Sequence, residues 1–357
     1  MSVARTVDAL VERGEIGGRT VQIVESGAVE CVTYPLAPLP EGSVRVRTVR
    51  SAISPGTEMT FYGRSATNVY LRKRWNEELR LFEAGPPSLD YPVTFGYRAA
   101  GEVVETRSAD VPVGLRVYGT WRHTEYTVLP AGRALAQRLP DPLGWDDGVD
   151  VGQMGPICLN AVAWGEMLHV DAPTVVFGAG PVGLITAQAL AATGASIVHV
   201  VDRLPARVAI AAGLGLAPVE AGDTDVAVAL KRRHSADGIP VVFECTGSSR
   251  ALHEAIRVVR RRGTVVAVGF YQGEASGLYL GDEFHHNGVR IQCGQIGNLH
   301  PSVTWATLRA RTIELALAGR LVLGGLPRLT LPVESVAEAF EALGRPADVL
   351  QVALAYD

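Results

Sequence analysis

The sequence has no uninterrupted apolar run near the ~20 residues needed to cross a bilayer, although 47% of its residues are hydrophobic. No membrane partner is expected. The opening stretch, MSVARTVDALVERGE, carries charges throughout and lacks the apolar centre of an export signal. A cytoplasmic protein is the expectation. Cysteine is scarce: Cys31, Cys158, Cys245 and Cys293 lie far apart, with no CxxC pair. That excludes a disulfide framework and a zinc knuckle, and each cysteine reads as a small buried apolar residue. Basic excess is missing too. A formal net charge of -4 argues against nucleic acid, because phosphate binding depends on clustered Lys and Arg. Internal repeats and low-complexity segments are absent. What remains is a small-molecule partner and a chain of 357 residues, a length that suits two domains.

The most informative stretch runs from Thr174 to Asp202. An apolar run, Thr174 to Phe177, leads into Gly178, Gly180 and Gly183 at GxGxxG spacing, then an apolar helical segment closed by Gly194. A second run, Ile197 to Val201, ends on Asp202. Strand, turn, helix, strand and acid follow in the order a dinucleotide fold requires. The glycines permit a tight turn and close approach of a pyrophosphate to backbone N–H groups at a helix N-terminus. Pro181 and Val182 lie inside that turn. Asp202 stands where a carboxylate accepts both ribose hydroxyls of an adenosine, which favours NAD over NADP. Arg203 and Arg207 are the neighbouring cations, able to accommodate a 2'-phosphate or cover the adenine.

Before this stretch the chain alternates short apolar runs with Gly or Pro turns. Ser43 to Val49 puts Val44 and Val46 on one face and Arg45 and Arg47 on the other, as a half-buried strand does. Ala99 to Val104, Leu115 to Tyr118 and Glu125 to Leu129 read similarly, giving a mostly antiparallel β domain. Thr67 to Glu83 interrupts it, with Leu71, Trp75, Leu79 and Phe82 at helical spacing beside Arg72, Lys73 and Arg74. This predicts a surface helix, or a lid offering cations to an anionic substrate. Asp150 to Glu166 reads as helical. Six strands are expected in the dinucleotide domain, near residues 174, 197, 217, 240, 264 and 289, the number in a full doubly wound sheet. Thr246, Gly247 and Gly269 follow two of them and are expected to border the cofactor. Helices near Val303 to Ala318 and Val333 to Leu343 and a strand at Val349 to Leu354 close the chain. They fold back onto the first domain, so that the expected division is 1–155 with 298–357, and 156–297 inserted between.

Four local patterns, SAISPGTE at Ser51 to Glu58, FGYRAAGEV at Phe95 to Val103, GAGPVG at Gly178 to Gly183, and FECTGSSRALHEAIRVVRRRGTVVAVG, resemble the medium-chain dehydrogenase/reductase superfamily. The resemblance covers nearly the whole chain. It implies an α/β architecture: a GroES-like β domain with an inserted Rossmann doubly wound parallel sheet, and a homodimer joined at its sheet edges. In zinc alcohol dehydrogenases of the family the first pattern carries a cysteine and the second a histidine, which hold the catalytic metal. Here Ser54-Pro55 and Tyr97-Arg98 stand in those places, and Cys158 alone in the region of a third ligand. The chain is therefore similar to a zinc-independent branch that includes bacteriochlorophyllide hydroxyethyl dehydrogenase-like proteins and enzymes of secondary metabolism.

Without zinc, a side chain must polarise the substrate oxygen and move its proton. Tyr97 is the first candidate, provided its pKa is lowered. Thr57 matches the family's relay hydroxyl, Glu58 is a possible base, and His123 lies at a strand start near the expected cleft. Arg98 could lower the Tyr97 pKa, bind an anionic group or form a structural ion pair, and Glu58 reads equally as a surface carboxylate or as the partner of Arg98. Of the adjacent pair His285-His286, read as extended with opposite orientations, His285 could meet substrate. The implied function is NAD-dependent hydride exchange with a secondary alcohol or ketone, such as a polyol, sugar or cyclitol. The alternatives are a C=C reductase of the enoyl or quinone type and an inactive dinucleotide binder.

Overall fold

The computed structural model describes residues 17–63, 68–222, 224–345 and 349–356. The charged opening stretch lies outside them. The chain divides into two compact units, one running up to Gln153 and resuming at Pro327, the other spanning Met154–Leu326.

The first unit begins with an antiparallel hairpin, β1 (Gly17–Glu25) and β2 (Ala28–Pro35), followed by β3 (Ser43–Ala52) and the short helix α1 (Glu58–Tyr62). Two three-residue strands, β4 (Arg74–Asn76) and β5 (Leu81–Glu83), precede β6 (Ala99–Thr106), β7 (Arg116–Gly119) and β8 (Tyr126–Pro130). Helices α2 (Ala131–Ala136) and α3 (Trp145–Val151) complete this part.

The second unit runs α4 (Met154–Trp164), β9 (Pro173–Phe177), α5 (Pro181–Ala192), β10 (Ile197–Asp202), α6 (Pro205–Gly213), β11 (Ala217–Glu220) and α7 (Val226–His234). It continues with β12 (Val241–Glu244), α8 (Ser249–Val258), β13 (Thr264–Ala267), α9 (His285–Asn287), β14 (Arg290–Cys293) and α10 (Trp305–Leu317). The return to the first unit contributes β15 (Leu329–Pro332), α11 (Val336–Leu343) and β16 (Val352–Ala355).

In the first unit the sheet order is β15-β16-β3-β6-β7, with β8 also on β3. Because β3 pairs with β6, β8 and β16, it is more enclosed than its alternation suggests. Val44 and Val46 are buried as expected, but Arg45 on the opposite face is buried too, its Nε 2.7 Å from Glu105. A buried guanidinium needs such a partner.

The Thr67 to Glu83 stretch is not a helix. Thr67 lies outside the described residues, and beyond it β4 and β5 form a hairpin in which Trp75 pairs with Phe82 in register, their ring centroids 4.8 Å apart. An aromatic cross-strand pair is a sheet contact that imitates helical spacing in the sequence. Asn76 closes the turn by accepting the Leu79 N–H at 2.9 Å, and Arg80 takes a positive φ.

The second unit carries a fully parallel six-stranded sheet in the order β11-β10-β9-β12-β13-β14. Counted within the unit this is 3-2-1-4-5-6, the doubly wound dinucleotide order. Val175, Val242 and Val265 are buried with Ile256 and Leu230 in one core. The boundary expected at residue 298 falls after Leu326 instead. Helix α10 packs on α4, where Gly155 leaves room for the Thr312 side chain, so this segment belongs to the second unit. The helical run read from Asp150 to Glu166 is interrupted between α3 and α4. No helix among the described residues is long and apolar enough to cross a membrane.

Candidate active site

In the second unit the glycine turn leaves β9 and enters α5. Gly178 has a φ of +97°, which a side chain rarely tolerates. A Cβ on Gly183 would overlap the Gly178 carbonyl. Gly180 is the N-cap of α5 and Pro181 its first residue, with Val182 following, the arrangement that leaves helix N–H groups facing outward. Asp202, at the end of β10, accepts the Ala179 N–H at 2.7 Å on one oxygen and the Leu204 N–H at 2.9 Å on the other. Each carboxylate oxygen retains acceptor capacity for a hydroxyl. Arg203 is exposed, whereas the Arg207 guanidinium stands 3.8 Å from where a Gly180 Cβ would be. Thr246 reaches Gly178, and Gly247 backs onto Gly269 with no space for a Cβ between them. The strand ends thus bring nearly all the expected cofactor residues to one edge of the sheet. They fit an adenine dinucleotide: a pyrophosphate cradle at a helix N-terminus and an acceptor for ribose hydroxyls.

The first unit holds a second cluster, built by the loop between β3 and α1 and by the approaches to β6 and β8. The Tyr97 hydroxyl donates to Ser54 Oγ at 2.5 Å and lies 3.4 Å from Thr57 Oγ1. Ser54 Oγ also accepts the Thr57 N–H at 3.3 Å. Glu58 is completely buried. One of its oxygens accepts the Ser54 N–H at 2.9 Å, and the other lies 2.7 Å from His123 Nε2. His123, also fully buried, places Nδ1 2.7 Å from Ser51 Oγ, which lies 3.2 Å from the Tyr356 hydroxyl. One tautomer satisfies the whole chain: Tyr356 donates to Ser51, Ser51 to Nδ1, and Nε2–H to Glu58.

This geometry corrects several sequence expectations. Glu58 and His123 have no surface from which to serve as base, so they act through the Ser54 loop they hold. Arg98 neither meets substrate nor pairs with Glu58. Its side chain is fully buried against Asp150, with Gln351 as a further acceptor at 3.1 Å. The Tyr97 pKa is raised rather than lowered. Burial is the main cause and the Glu58 charge the next, against weaker opposing effects of Ser54, Thr57 and Arg98. His285 and His286 sit on helix α9 rather than on an extended segment, and both are exposed. Cys158 is buried, with its Sγ–H directed at the Val182 carbonyl at 3.3 Å, but Cys293 is exposed on β14.

The residues in the family's metal positions do not fit zinc. Hydroxyls of Ser54 and Tyr97, a proline and an arginine paired with Asp150 replace the thiolate and imidazole that zinc prefers. Among the described residues, His253, Asp282 and Glu283 form the one group of three potential ligands, far in sequence from that loop and with Arg257 Nε 3.6 Å from Glu283. Ser51, Ser54, Asp150 and Tyr356 escaped sequence reasoning as site residues. Only Ser54 carried a signal, as the occupant of an expected cysteine position.

A β unit interrupted by a Rossmann sheet defines a two-domain dehydrogenase architecture. Residues 181–312 match the zinc-binding dehydrogenase family model. The chain is 30% identical over 230 residues to the (R,R)-butanediol dehydrogenase of Bacillus subtilis, covering 56% of this chain and 63% of that enzyme. It is 27% identical over 266 residues to the D-guloside 3-dehydrogenase of Shigella flexneri, covering 70% of this chain and 72% of the relative. The crystal structure of 2R,3R-butanediol dehydrogenase from Bacillus subtilis superposes with a TM-score of 0.74 at 20% identity, over 95% of this chain and 100% of that one. Residues 181–312 are thus similar to zinc-binding dehydrogenases, and nearly the whole chain shares the fold of the butanediol dehydrogenase structure.

Proposed function

We propose that the protein is an NAD-dependent oxidoreductase that exchanges hydride with a secondary alcohol or ketone without a catalytic zinc. The substrate class is a polyol, sugar or cyclitol of secondary metabolism, a reading supported by the diol and sugar dehydrogenases among its relatives. NAD rather than NADP follows from Asp202, whose carboxylate repels a 2'-phosphate. A cytoplasmic homodimer is the accompanying proposal, with the edge strand β14 as its joining surface.

The observation that carries the zinc-free mechanism is the Tyr97 hydroxyl on Ser54 Oγ at 2.5 Å, in the family's metal-ligand positions. The nicotinamide, when bound, supplies or accepts the hydride. The raised pKa keeps Tyr97 protonated, so its O–H, once turned from Ser54 Oγ to a carbonyl oxygen, polarises that oxygen and gives up its proton as the alcohol forms. Thr57 offers a second hydroxyl beside it. Glu58 fixes the Ser54 backbone, and His123, Ser51 and Tyr356 fix Glu58. Tyr97→Phe is expected to lower kcat for ketone reduction by about 10²–10⁴-fold, the typical worth of a positioned proton donor, with NAD affinity unchanged. Undiminished turnover in that variant would contradict the assignment.

A further inference from the structure

The buried carboxylate of Glu244, at the C-terminal end of β12, is used by neither cluster above. Glu244 is completely buried. Four donors converge on it. One oxygen accepts the Thr246 N–H at 2.7 Å and the Thr246 hydroxyl; the other accepts the Gly247 N–H at 3.1 Å and the Tyr271 hydroxyl. Its backbone carbonyl accepts two more, from Val268 at 2.8 Å and Gly269 at 3.0 Å. One residue therefore ties the loop after β12 to the loop after β13, the two segments that carry Thr246, Gly247 and Gly269.

The fit at this junction is tight. Gly247 has a φ of +72°, and a Cβ on it would meet the Phe270 backbone. A Cβ on Gly269 would press on the Gly247 backbone and on Glu244 Oε2, at 3.0 Å from the latter. The loops have little room to settle elsewhere without losing this packing.

We propose that ionised Glu244 is the positioning residue for the dinucleotide-binding loops, so that cofactor affinity is coupled to its protonation. This rests on the proposed dinucleotide site. The chemistry is a matter of counting hydrogens. A carboxylate is acceptor-only and serves all four donors, two on each oxygen. A protonated acid brings a fifth hydrogen into an enclosed space. The Thr246 or Tyr271 hydroxyl must then reverse to accept that hydrogen, and the remaining bonds to Glu244 lose their charge assistance, so the loops are held less firmly. Gln at this position faces two of the same donors with an NH₂ group and creates the same conflict permanently.

Burial pushes the Glu244 carboxyl above the ordinary range, against the opposing hydrogen bonds from Thr246, Tyr271 and Gly247. The groups facing the pair are the Tyr271 phenol, itself pushed up by burial and by Glu244, with the Cys245 and Cys293 thiols. The sign for folding follows from the raised value. Ionisation opposes folding, so this group's contribution to stability is full below the unfolded pKa near 4.5 and is lost as pH rises through the folded pKa. Cofactor affinity runs the other way, strengthening as the carboxylate forms. A residue with a merely structural role would not separate the two trends.

The test is calorimetric titration of the full-length protein with NAD⁺, which is stable in acid, from pH 5 to pH 8, alongside thermal unfolding at each pH. Wild type is expected to bind about 10-fold or more weakly at pH 5 than at pH 8. Glu244→Gln is expected to bind about 10-fold or more weakly at pH 8, with a flat pH profile and an unfolding temperature that shows it folded. Tyr271→Phe, which removes one donor of four, is expected to lose a few-fold while retaining a sloped profile. Wild-type affinity in Glu244→Gln, or an unaltered pH slope in that variant, would overturn the proposal. If Glu244→Gln does not fold, Tyr271→Phe decides: a wild-type affinity and slope would overturn it. Failure of the wild-type protein to bind NAD⁺ or NADP⁺ at any pH would instead sink the proposed cofactor.

Discussion

Asp150 shows what a single buried charge does here. It accepts from Arg98 on one oxygen and, at 2.7 Å, from Arg328 on the other, with all three side chains at most 3% exposed. Replacing Asp150 by Asn leaves the Arg98 guanidinium enclosed without a counter-charge and Arg328 with Asp146 alone, whose Oδ1 lies 3.3 Å from Nη1, and such a break costs about 3–5 kcal/mol. Asp150→Asn is expected to unfold at correspondingly lower urea concentration. An unchanged midpoint would show that Gln351 and Asp146 satisfy both arginines. A structural ion pair for Arg98 was among the sequence readings, but its partners were not legible. Arg98 was read from its neighbour Tyr97, whereas its partners Asp150 and Gln351 are distant in the chain and reach it only through the fold. Tyr97 was legible because it replaces a residue with a known role. The direction of its pKa shift was not, since that depends on burial and on where the Glu58 charge points.

Elements differ in how plainly the chain announces them. The six strands of the parallel sheet were readable because apolar runs alternate with helical segments punctuated by glycine, and the four inner strands are mostly buried. The hairpin of β4 and β5 was misread because Trp75, Leu79 and Phe82 meet two periodicities at once, and the turn at Arg80 decides between them. The segment around His285 was misread because nothing apolar fixes its period. One contact between elements predicts a pH response. His199 on β10 and His234 at the end of α7 place their Nε2 atoms 2.7 Å apart. Burial first, then His234 and Arg233, lowers the His199 pKa to about 4. The folded value lies below the unfolded one near 6.5, so the contribution to stability is full above about pH 6.5 and is lost as pH falls toward 4. His199→Gln is expected to lose less stability over that window than wild type, by on the order of 1–3 kcal/mol. Parallel losses measured by denaturant unfolding at pH 7 and pH 4.5 would contradict this.

At the scale of the whole molecule, the proposed function assigns the dinucleotide to the parallel-sheet unit and the proton donor to the hydrogen-bonded hydroxyl cluster of the β unit. The division into two units was visible in the sequence, because strand-rich and strand–helix text differ. The return point was not, since α10 is amphipathic enough to pack on either unit and only its contact with Gly155 and α4 assigns it. Likeness to dehydrogenases does not by itself carry the chemistry, which resides in the site. The most direct test of the central claim is NADH oxidation at 340 nm by protein stripped of metal with a chelator, across ketones related to polyols, sugars and cyclitols, with metal content measured on the same sample. The account predicts turnover of at least one ketone at a zinc content far below one per chain, unchanged when zinc is restored. Turnover that appears only on adding back stoichiometric zinc would contradict it.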